Sequence, residues 1–475
     1  MPSEWDRRTP LEQRRIQNLQ LKQTVLHGAL AYVPLVRARL ATMGKDARLF
    51  KGLEELPTLP LTSRRDVFDP RRNPEGSDGV LLQGSEEGVK RFSDRATLRK
   101  IAFARLIGGE TDAHRAIASA TRPIHTHLVA GPGGRVPVGY TRDDLDLLAR
   151  AGARLAQVIG IDREDRIANL VPAGPNLNFW GIHYMGHGLG AWTLHLRRET
   201  DPVRPLITAA EQKSTVLFVP SEDAVELLEA AAETDLSLAT VRTLVLVGGT
   251  LGRQEHARIA EAMITLDAPE ARVAGCFGVP EGRVLWGTCP VPLGNADGYG
   301  FHTLPDMDVV EVVDPETGAL LPEDRAGELV VTPLGFRGGS LPRWRSGALI
   351  SAGINRLPCP NCQRTVPRIG PAVVPGAWHD LVRVDGRRRW VDLTLIASAA
   401  AERAADWLVE HRVGDGLFVH LTGVSDPTPV IELFQDLDRI GMPPTQIVGS
   451  APKDMADRLG NGEAPWRRLQ RVELA

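Results

Sequence analysis

Lysine is nearly missing: only Lys22, Lys45, Lys51, Lys90, Lys100, Lys213 and Lys453 occur in 475 residues, so the basic charge is almost entirely arginine. Any chemistry that needs a lysine near the end of the chain has only Lys453 to draw on. Cysteine is scarcer still, at four. That is too few for a disulfide scaffold, and in a reducing compartment a Cys-x-x-Cys pair reads as a metal or redox element. No run approaches the ~18 uncharged apolar residues of a membrane span. The opening MPSEWDRRTPLEQRRIQ lacks the apolar centre of a signal peptide. A cytoplasmic protein without membrane attachment is expected. Nor does one sign of charge dominate: a formal net charge of -3 and a pI near 6.5 give no general attraction to nucleic acid or anionic lipid.

What is present is enough apolar sequence for large cores, in a chain too long for one of them, so two or three units are expected. Residues 8–45 carry Leu19, Leu21, Val25, Leu26, Leu30, Val33, Val36 and Leu40 near helical period, and Pro34 splits the pattern into two helices. Pro57 and Pro60 then force an extended segment, with Thr62 or Ser63 able to cap a short helix. A basic helical stretch follows at 91–109, with Leu98, Ile101, Ala102, Leu106 and Ile107 as its candidate buried side. Without interleaved aromatics it reads as a solvated face rather than a nucleic-acid surface.

From residue 126 the pattern becomes strand, loop and helix in alternation. Thr141 caps an amphipathic helix, with Asp143 and Asp144 in its first turn. Strands are predicted at 166–171, 192–196, 216–219, 243–247 and near 273–277, and helices at 180–189, 221–232 and 252–265. This is the grammar of an α/β core with a largely parallel sheet, whose ligands sit at the carboxyl ends of the strands. Around residue 305 it changes to an antiparallel pair, 308–313 and 327–332, turned at PETG, marking a small β-rich subdomain over about 290–370. A loop carrying Trp344-Arg345-Ser346-Gly347 follows. The remainder reads as a compact α+β unit: strands LVRVD and RWVDLTLI, a helix at 397–410, a strand at 417–421, a helix at 430–440 and a strand at 445–448. The division falls at 1–375 and 376–475, with a hinge near 376–380.

Four constellations carry chemistry. Gly131-Pro132-Gly133-Gly134-Arg135, placed between strand and helix, is either a plain tight turn or a glycine-rich loop whose backbone N–H groups approach phosphate. It offers no hydroxyl and no lysine, only Arg135. Cys359-Pro-Asn-Cys362 is a knuckle placing two thiolates on one ion. Cys289 and His302 complete a Cys3His zinc site, Cys276 being the other candidate fourth donor and two ordinary thiols the plain alternative. With four protein ligands such a zinc would be structural. His183 and Tyr184, in FWGIHYMGHGLGA, are either the wall of an acyl or aryl pocket or satisfied core residues. Glu281, in CFGVPEG after a predicted strand, is either a generic loop acid or a Mg2+ ligand.

Taken in order, these segments resemble the phenylacetate–coenzyme A ligase branch of the adenylate-forming enzymes. The resemblance runs through LKQTVLHGALAYVPLVRARL, LEELPTLPLTSRRDV, VPVGYTRDDLDLLARAGARLAQVIGI, FWGIHYMGHGLGA, STVLFVPSEDAVELLEAA, LVLVGGTLG, VVDPETGALLPEDRAGELVVT and CPNCQRTVPRI. It implies a large N-terminal domain, a mobile C-terminal lid, and two half-reactions: a carboxylic acid and ATP·Mg2+ give an acyl-adenylate, which coenzyme A converts to a thioester. It places Gly131, Gly133, Gly134, Arg135, Gly248, Gly249, Phe277 and Gly278 around the nucleotide, His183 and Tyr184 at the acid, and Glu281 and Arg345 at the chemistry. It also supports the zinc, since some members carry a comparable Cys/His cluster.

The same resemblance exposes departures. The family's hydroxyl-rich phosphate loop ending in Lys-Pro keeps only its glycines here. Pro280 replaces the hydroxyl residue before Glu281. In Trp344-Arg345-Ser346-Gly347-Ala348, Ala348 stands where the family has the aspartate that holds the ribose. At the hinge, Gly376-Ala377-Trp378-His379-Asp380 lacks the arginine and one aspartate. Near the end, Arg467, Arg468 and Arg471 occur where a lysine is needed. One transition-state donor is worth about 10²–10³ in rate, and arginine does not reproduce lysine's compact charge. The expectation is a ligase-like protein with impaired or altered adenylation. The rival is a non-catalytic descendant that binds a nucleotide, a small acid or a protein partner.

Overall fold

Apolar runs without polar alternation mark strands covered on both faces. The two densest, Val216–Pro220 and Thr243–Val247, lie side by side inside a ten-stranded sheet. The structure, a computed structural model, describes residues 5–27, 33–42, 50–82, 95–131, 134–197, 200–249, 251–295, 298–314, 317–339, 341–350, 352–370, 373–374, 379–384, 387–392, 400, 403–404, 407–412, 416–422, 426, 428–439, 446–449 and 467–472. The chain divides into two units. One comprises Met1–Thr250, Arg258–Ser346 and Ile350–Val373; the other comprises Leu251–Ala257, Gly347–Leu349 and Val374–Ala475.

The first unit begins with α1 (Pro10–His27) and α2 (Pro34–Thr42), separate as Pro34 requires. Leu21, Val33, Val36 and Leu40 are buried, but Leu19 is 54% exposed, contrary to the helical stripe expected from sequence. After α3 (Arg64–Phe68) comes α4 (Arg95–Thr121), kinked at Gly109. Ile101 packs with Leu82, Ala113 and Ile117. Leu106 and Ile107, expected on that buried side, are 82% and 71% exposed, and Ala102 is exposed too. Five and six residues on from Ile101 is roughly 140° and 240° around a helix, the far side of the cylinder.

Next, β1 (His125–Gly131) and β2 (Gly134–Tyr140) form an antiparallel hairpin, registered from His125↔Tyr140 to Gly131↔Gly134. The glycine turn therefore joins strand to strand, not strand to helix as expected; Val136 and Val138 are buried on β2 and give it a core face. Then α5 (Arg142–Ile159) opens on a Thr141/Asp144 capping box and closes on left-handed Gly160. Parallel strands follow: β3 (Arg166–Asn169), β4 (Trp192–His195), β5 (Val216–Pro220), β6 (Thr243–Val247) and β7 (Arg272–Phe277). Between them run α6 (Leu177–Leu189), α7 (Arg204–Glu211), α8 (Ser221–Ala232) and α9 (Arg253–Thr265). Only α7, two turns long, has no counterpart in the sequence reading.

Beyond β7 the sheet continues through short antiparallel strands: β8 (Trp286–Gly287), β9 (Val291–Pro292), β10 (Phe301–His302), β14 (Ile354–Asn355) and β15 (Arg368–Ile369). Its order is β14-β15-β10-β8-β7-β6-β5-β3-β4, with β9 also on β7. A separate four-stranded sheet, β11-β12-β13-β16, is built from β11 (Asp308–Val313), β12 (Gly327–Pro333), β13 (Trp344–Ile350) and β16 (Val373–Val374). The antiparallel pair is there in its expected register region, Asp308↔Pro333 to Val313↔Glu328. The stretch from Trp344, read as a loop, is instead strand β13, because Trp344, Ala348 and Ile350 are buried at every second or fourth position and take a sheet face.

In the second unit, β17 (His379–Val384) and β18 (Arg387–Asp392) form a hairpin. A second sheet runs β21-β20-β19-β22, from β19 (Trp407–Arg412), β20 (Gly416–Leu421), β21 (Gln446–Gly449) and β22 (Arg467–Val472), with α10 (Thr428–Arg439) between β20 and β21. The helix expected over 397–410 is overturned at its end: Trp407, Leu408 and Val409 are all buried in β19, flanked by β20 and β22. A short strand buried on both faces is indistinguishable by periodicity from a helix segment. Gly133, the hinge residues 376–378 and Lys453 lie outside the described residues. Among the described residues no helix is long and apolar enough to cross a membrane.

Candidate active site and metal cluster

β7 delivers Phe277 to its carboxyl end, and the chain turns at once. Gly278 is required there, because a Cβ would stand 2.5 Å from the Val284 carbonyl oxygen. A short 3-10 turn, Pro280–Gly282, then buries Glu281. Its carboxylate already has partners: Arg64 Nη1 donates to Oε1 at 3.4 Å, and the Trp344 side chain hydrogen-bonds it. Burial pushes the Glu281 carboxyl up, and its own backbone N–H, Arg64 and Trp344 oppose that only in part. Arg64 is itself fixed, donating through Nη2 to the Val129 carbonyl of β1 at 3.0 Å. Nothing in the sequence singled out Arg64; it follows the extended proline segment as one of two consecutive arginines.

The other nucleotide candidates border the same strand ends. Gly248, at φ +107, and Gly249 follow β6; Gly248 N–H donates to the Cys276 carbonyl at 2.9 Å, and Ser221 Oγ to the Gly249 carbonyl at 2.8 Å. Arg135 is exposed beside the Gly131–Gly134 turn. Arg345 is clasped by Glu328, with Nε 2.9 Å from Oε2.

His183 and Tyr184 on α6 belong to a wall of rings. Trp180 lies 5.3 Å from His183 and 6.2 Å from Tyr184, and His125 of β1 reaches Trp180 at 4.6 Å and Tyr184 at 6.4 Å. His125 continues to His127 and Tyr140, whose ring carries the Arg283 guanidinium 4.9 Å away. Arg283 and His127 are fully buried, and burial, reinforced by His125 and Arg283, pushes His127 down to about 3. Burial likewise lowers His125, His183 and His195, so these imidazoles are neutral at pH 7. The alternation of His125 and His127 on one strand face was the available signal for this wall, and it went unused.

Far along the chain, β8's exit, β10 and the knuckle converge. The donor atoms of Cys289, His302, Cys359 and Cys362 all lie within 4.8 Å of one another. Cys289 Sγ is 3.7 Å from Cys359 Sγ, Cys362 Sγ is 3.5 Å from His302 Nε2, and Asn361 Nδ2 donates to Cys289 Sγ at 3.2 Å. Hydrogen bonding from Cys289 is the largest influence pulling both Cys359 and Cys362 down, while Cys289 is pushed up in return. Cys276 takes no part; it is fully buried in β7 and pushed up to about 12 by that burial.

No protein-family model matches the chain. Phenylacetate-coenzyme A ligase of Thermus thermophilus is 24% identical over 376 residues, 78% of this chain and 72% of that protein. The Pseudomonas putida phenylacetate-coenzyme A ligase is 23% identical over 388 residues, with the same coverage. Among solved structures, 2-hydroxyisobutyryl-CoA ligase in the postadenylation state, in complex with R3-HIB-AMP, superposes with a TM-score of 0.70 at 17% identity, covering 98% of this chain and 91% of that one. Its open conformation gives 0.67 at 17% identity, over 99% and 95% of the two chains. Sequence relatives and fold point the same way: the chain is similar to phenylacetate-coenzyme A ligases and shares the fold of 2-hydroxyisobutyryl-CoA ligase.

Proposed function

We propose that the chain is an acid–CoA ligase-like protein that binds a carboxylic acid and an adenine nucleotide, with AMP-forming adenylation and thioester formation strongly reduced. One observation carries this: Glu281, the carboxylate matched to the family's magnesium ligand, is engaged by Arg64 and Trp344. A divalent ion would have to displace a guanidinium that Val129 also holds in place. The departures at Ala348 and in the phosphate turn weaken nucleotide holding further, since each lost charge-assisted hydrogen bond is worth about 1.5–3 kcal/mol. The glycines at 131, 134, 248, 249 and 278 remain to cradle backbone-recognised phosphate, the second unit acts as the lid, and the protein works in the cytoplasm.

ATP–pyrophosphate exchange over a panel of aryl and acyl acids tests it. Wild-type exchange is expected at least ~10²-fold below the rate of an ordinary ligase, while AMP still raises the melting temperature, as any ligand of the folded state must. Exchange at full ligase rates would sink the reading, and indifference to nucleotides and acids alike would leave a protein-binding descendant. Arg64→Ala frees Glu281 and is expected to raise Mg2+-dependent exchange; no change would show that this pair is not the brake.

The cluster of Cys289, His302, Cys359 and Cys362 holds a structural zinc in this reading. Ligands at the usual Zn–S and Zn–N lengths of a tetrahedral ion stand about 3.8 Å (S to S) and about 3.6 Å (S to N) apart. The Cys289–Cys359 and Cys362–His302 separations of 3.7 and 3.5 Å fit those values. Such a zinc supplies no reaction chemistry; it fixes strands and knuckle to one another.

A further inference from the structure

Asn169 ends β3 fully buried, and its side-chain orientation is set by the backbone: Oδ1 accepts the Val171 N–H at 3.1 Å. Its amide nitrogen therefore faces His195, 3.2 Å from Nδ1. An amide nitrogen only donates, so His195 Nδ1 is an acceptor, and a neutral imidazole with a lone pair on Nδ1 carries its proton on Nε2. That Nε2–H points at His183 Nδ1, 3.0 Å away. His183 in turn accepts at Nδ1 and keeps its own proton on Nε2. The buried amide thus dictates the tautomer of a ring two residues away in the chain of hydrogen bonds.

His183 Nε2 has no hydrogen-bond partner among the described residues, and the residue is half-buried rather than sealed. It sits between Trp180 and Tyr184, with His187 the nearest further imidazole on α6. Five residues earlier on the same helix, Asn178 Nδ2 lies 3.8 Å from where a Cβ of Gly248 would be, so α6 borders the candidate nucleotide loop. We propose that His183 presents a fixed Nε2–H donor to the ligand, so that this wall selects carboxylic acids whose tails carry a hydrogen-bond acceptor over acids with a bare hydrocarbon ring. The proposal rests on the acid-binding reading above; adenylation itself is not required for it.

Two measurements separate the ideas. In protein labelled with 15N-histidine, His183 and His195, assigned by their Gln variants, should both show a protonated Nε2 and an unprotonated Nδ1. A proton on His183 Nδ1 would overturn the proposal. Calorimetry without ATP then compares phenylacetate with pyridylacetate, whose ring nitrogen accepts. Wild type should favour pyridylacetate by about tenfold, the worth of one hydrogen bond. His183→Phe should erase the preference, and His183→Gln, which can still donate, should keep part of it. Equal binding of the two acids, or a preference that survives His183→Phe, overturns the selectivity and leaves acid binding standing. If neither acid binds, both readings fall together.

Discussion

At the scale of single residues, the chain keeps several ionisable groups in places where water cannot reach them. Asp308 is fully buried at the start of β11, accepting from Trp286 Nε1 at 2.7 Å and from the Leu304 N–H at 3.3 Å. Burial outweighs both bonds and pushes its carboxyl up to about 7 from an ordinary value of 3.8. The folded state therefore holds this proton more tightly than the unfolded chain does. Between those two values folding takes up a proton, so stability falls as pH rises, at most about 1.4 kcal/mol per pH unit. Asp308→Asn keeps an acceptor for Trp286 and removes the titration. Denaturant unfolding at pH 5 and pH 8 should show wild type losing more stability across that interval than the variant; parallel losses would refute the assignment. Residues of this kind were the least legible from sequence. The cysteine knuckle announced its own spacing, and Glu281 was marked by its place after a strand. Arg64, Arg283 and Asn169 matter only through partners brought to them by the fold, which no local pattern encodes.

At the scale of elements, Arg343 pins the proline-rich segment to the β subdomain. Buried, at φ +50, it donates through Nη1 to the Pro57 and Leu59 carbonyls at 2.9 and 2.6 Å, while its Nε meets Glu311 at 3.0 Å. Prolines 57 and 60 remove backbone donors, so the segment offers carbonyls, and an arginine fork suits them. Arg343→Met strands the Glu311 carboxylate in the interior and should cost about 3–5 kcal/mol in urea unfolding. Adding Glu311→Gln should recover part of that; no recovery would mean that the carbonyl contacts, not the charge pair, set the cost. Element type was legible wherever period and punctuation agreed, as in α8, which begins and ends at its expected residues, and in the β11–β12 pair. It failed where burial on both faces erased the period, at β19, and where a strand was mistaken for the loop it resembles, at β13.

At the scale of the whole molecule, the fold was legible because the α/β alternation and the later β-rich grammar are spread over hundreds of residues. The cluster of Cys289, His302, Cys359 and Cys362 was legible from its residue types and silent about its consequence. Cys289 follows β8, His302 lies in β10, and the knuckle leads toward β15, so one ion would tie together the antiparallel margin of the large sheet. Elemental analysis should find one zinc per chain. Stripping it with a chelator, or Cys359→Ser, should lower the melting temperature and loosen that margin in hydrogen exchange while the parallel strands stay protected. Metal-free protein of unchanged stability would remove the staple from the account.

Thr62 gives the molecule one more property. Its N–H donates to the Arg343 carbonyl and its carbonyl accepts from the Arg345 N–H, both at 2.8 Å, making a parallel bridge to Trp344. Two residues later stands Arg64, whose reach to Glu281 is thus gauged by the register of a pairing nearly three hundred residues away. Removing a single residue between 57 and 61 while that bridge holds would leave Arg64 in place; slipping the bridge by one would turn it to the opposite face. The Arg64–Glu281 pair is in effect a ruler setting, and it can be broken by shifting a count of residues without altering either charge.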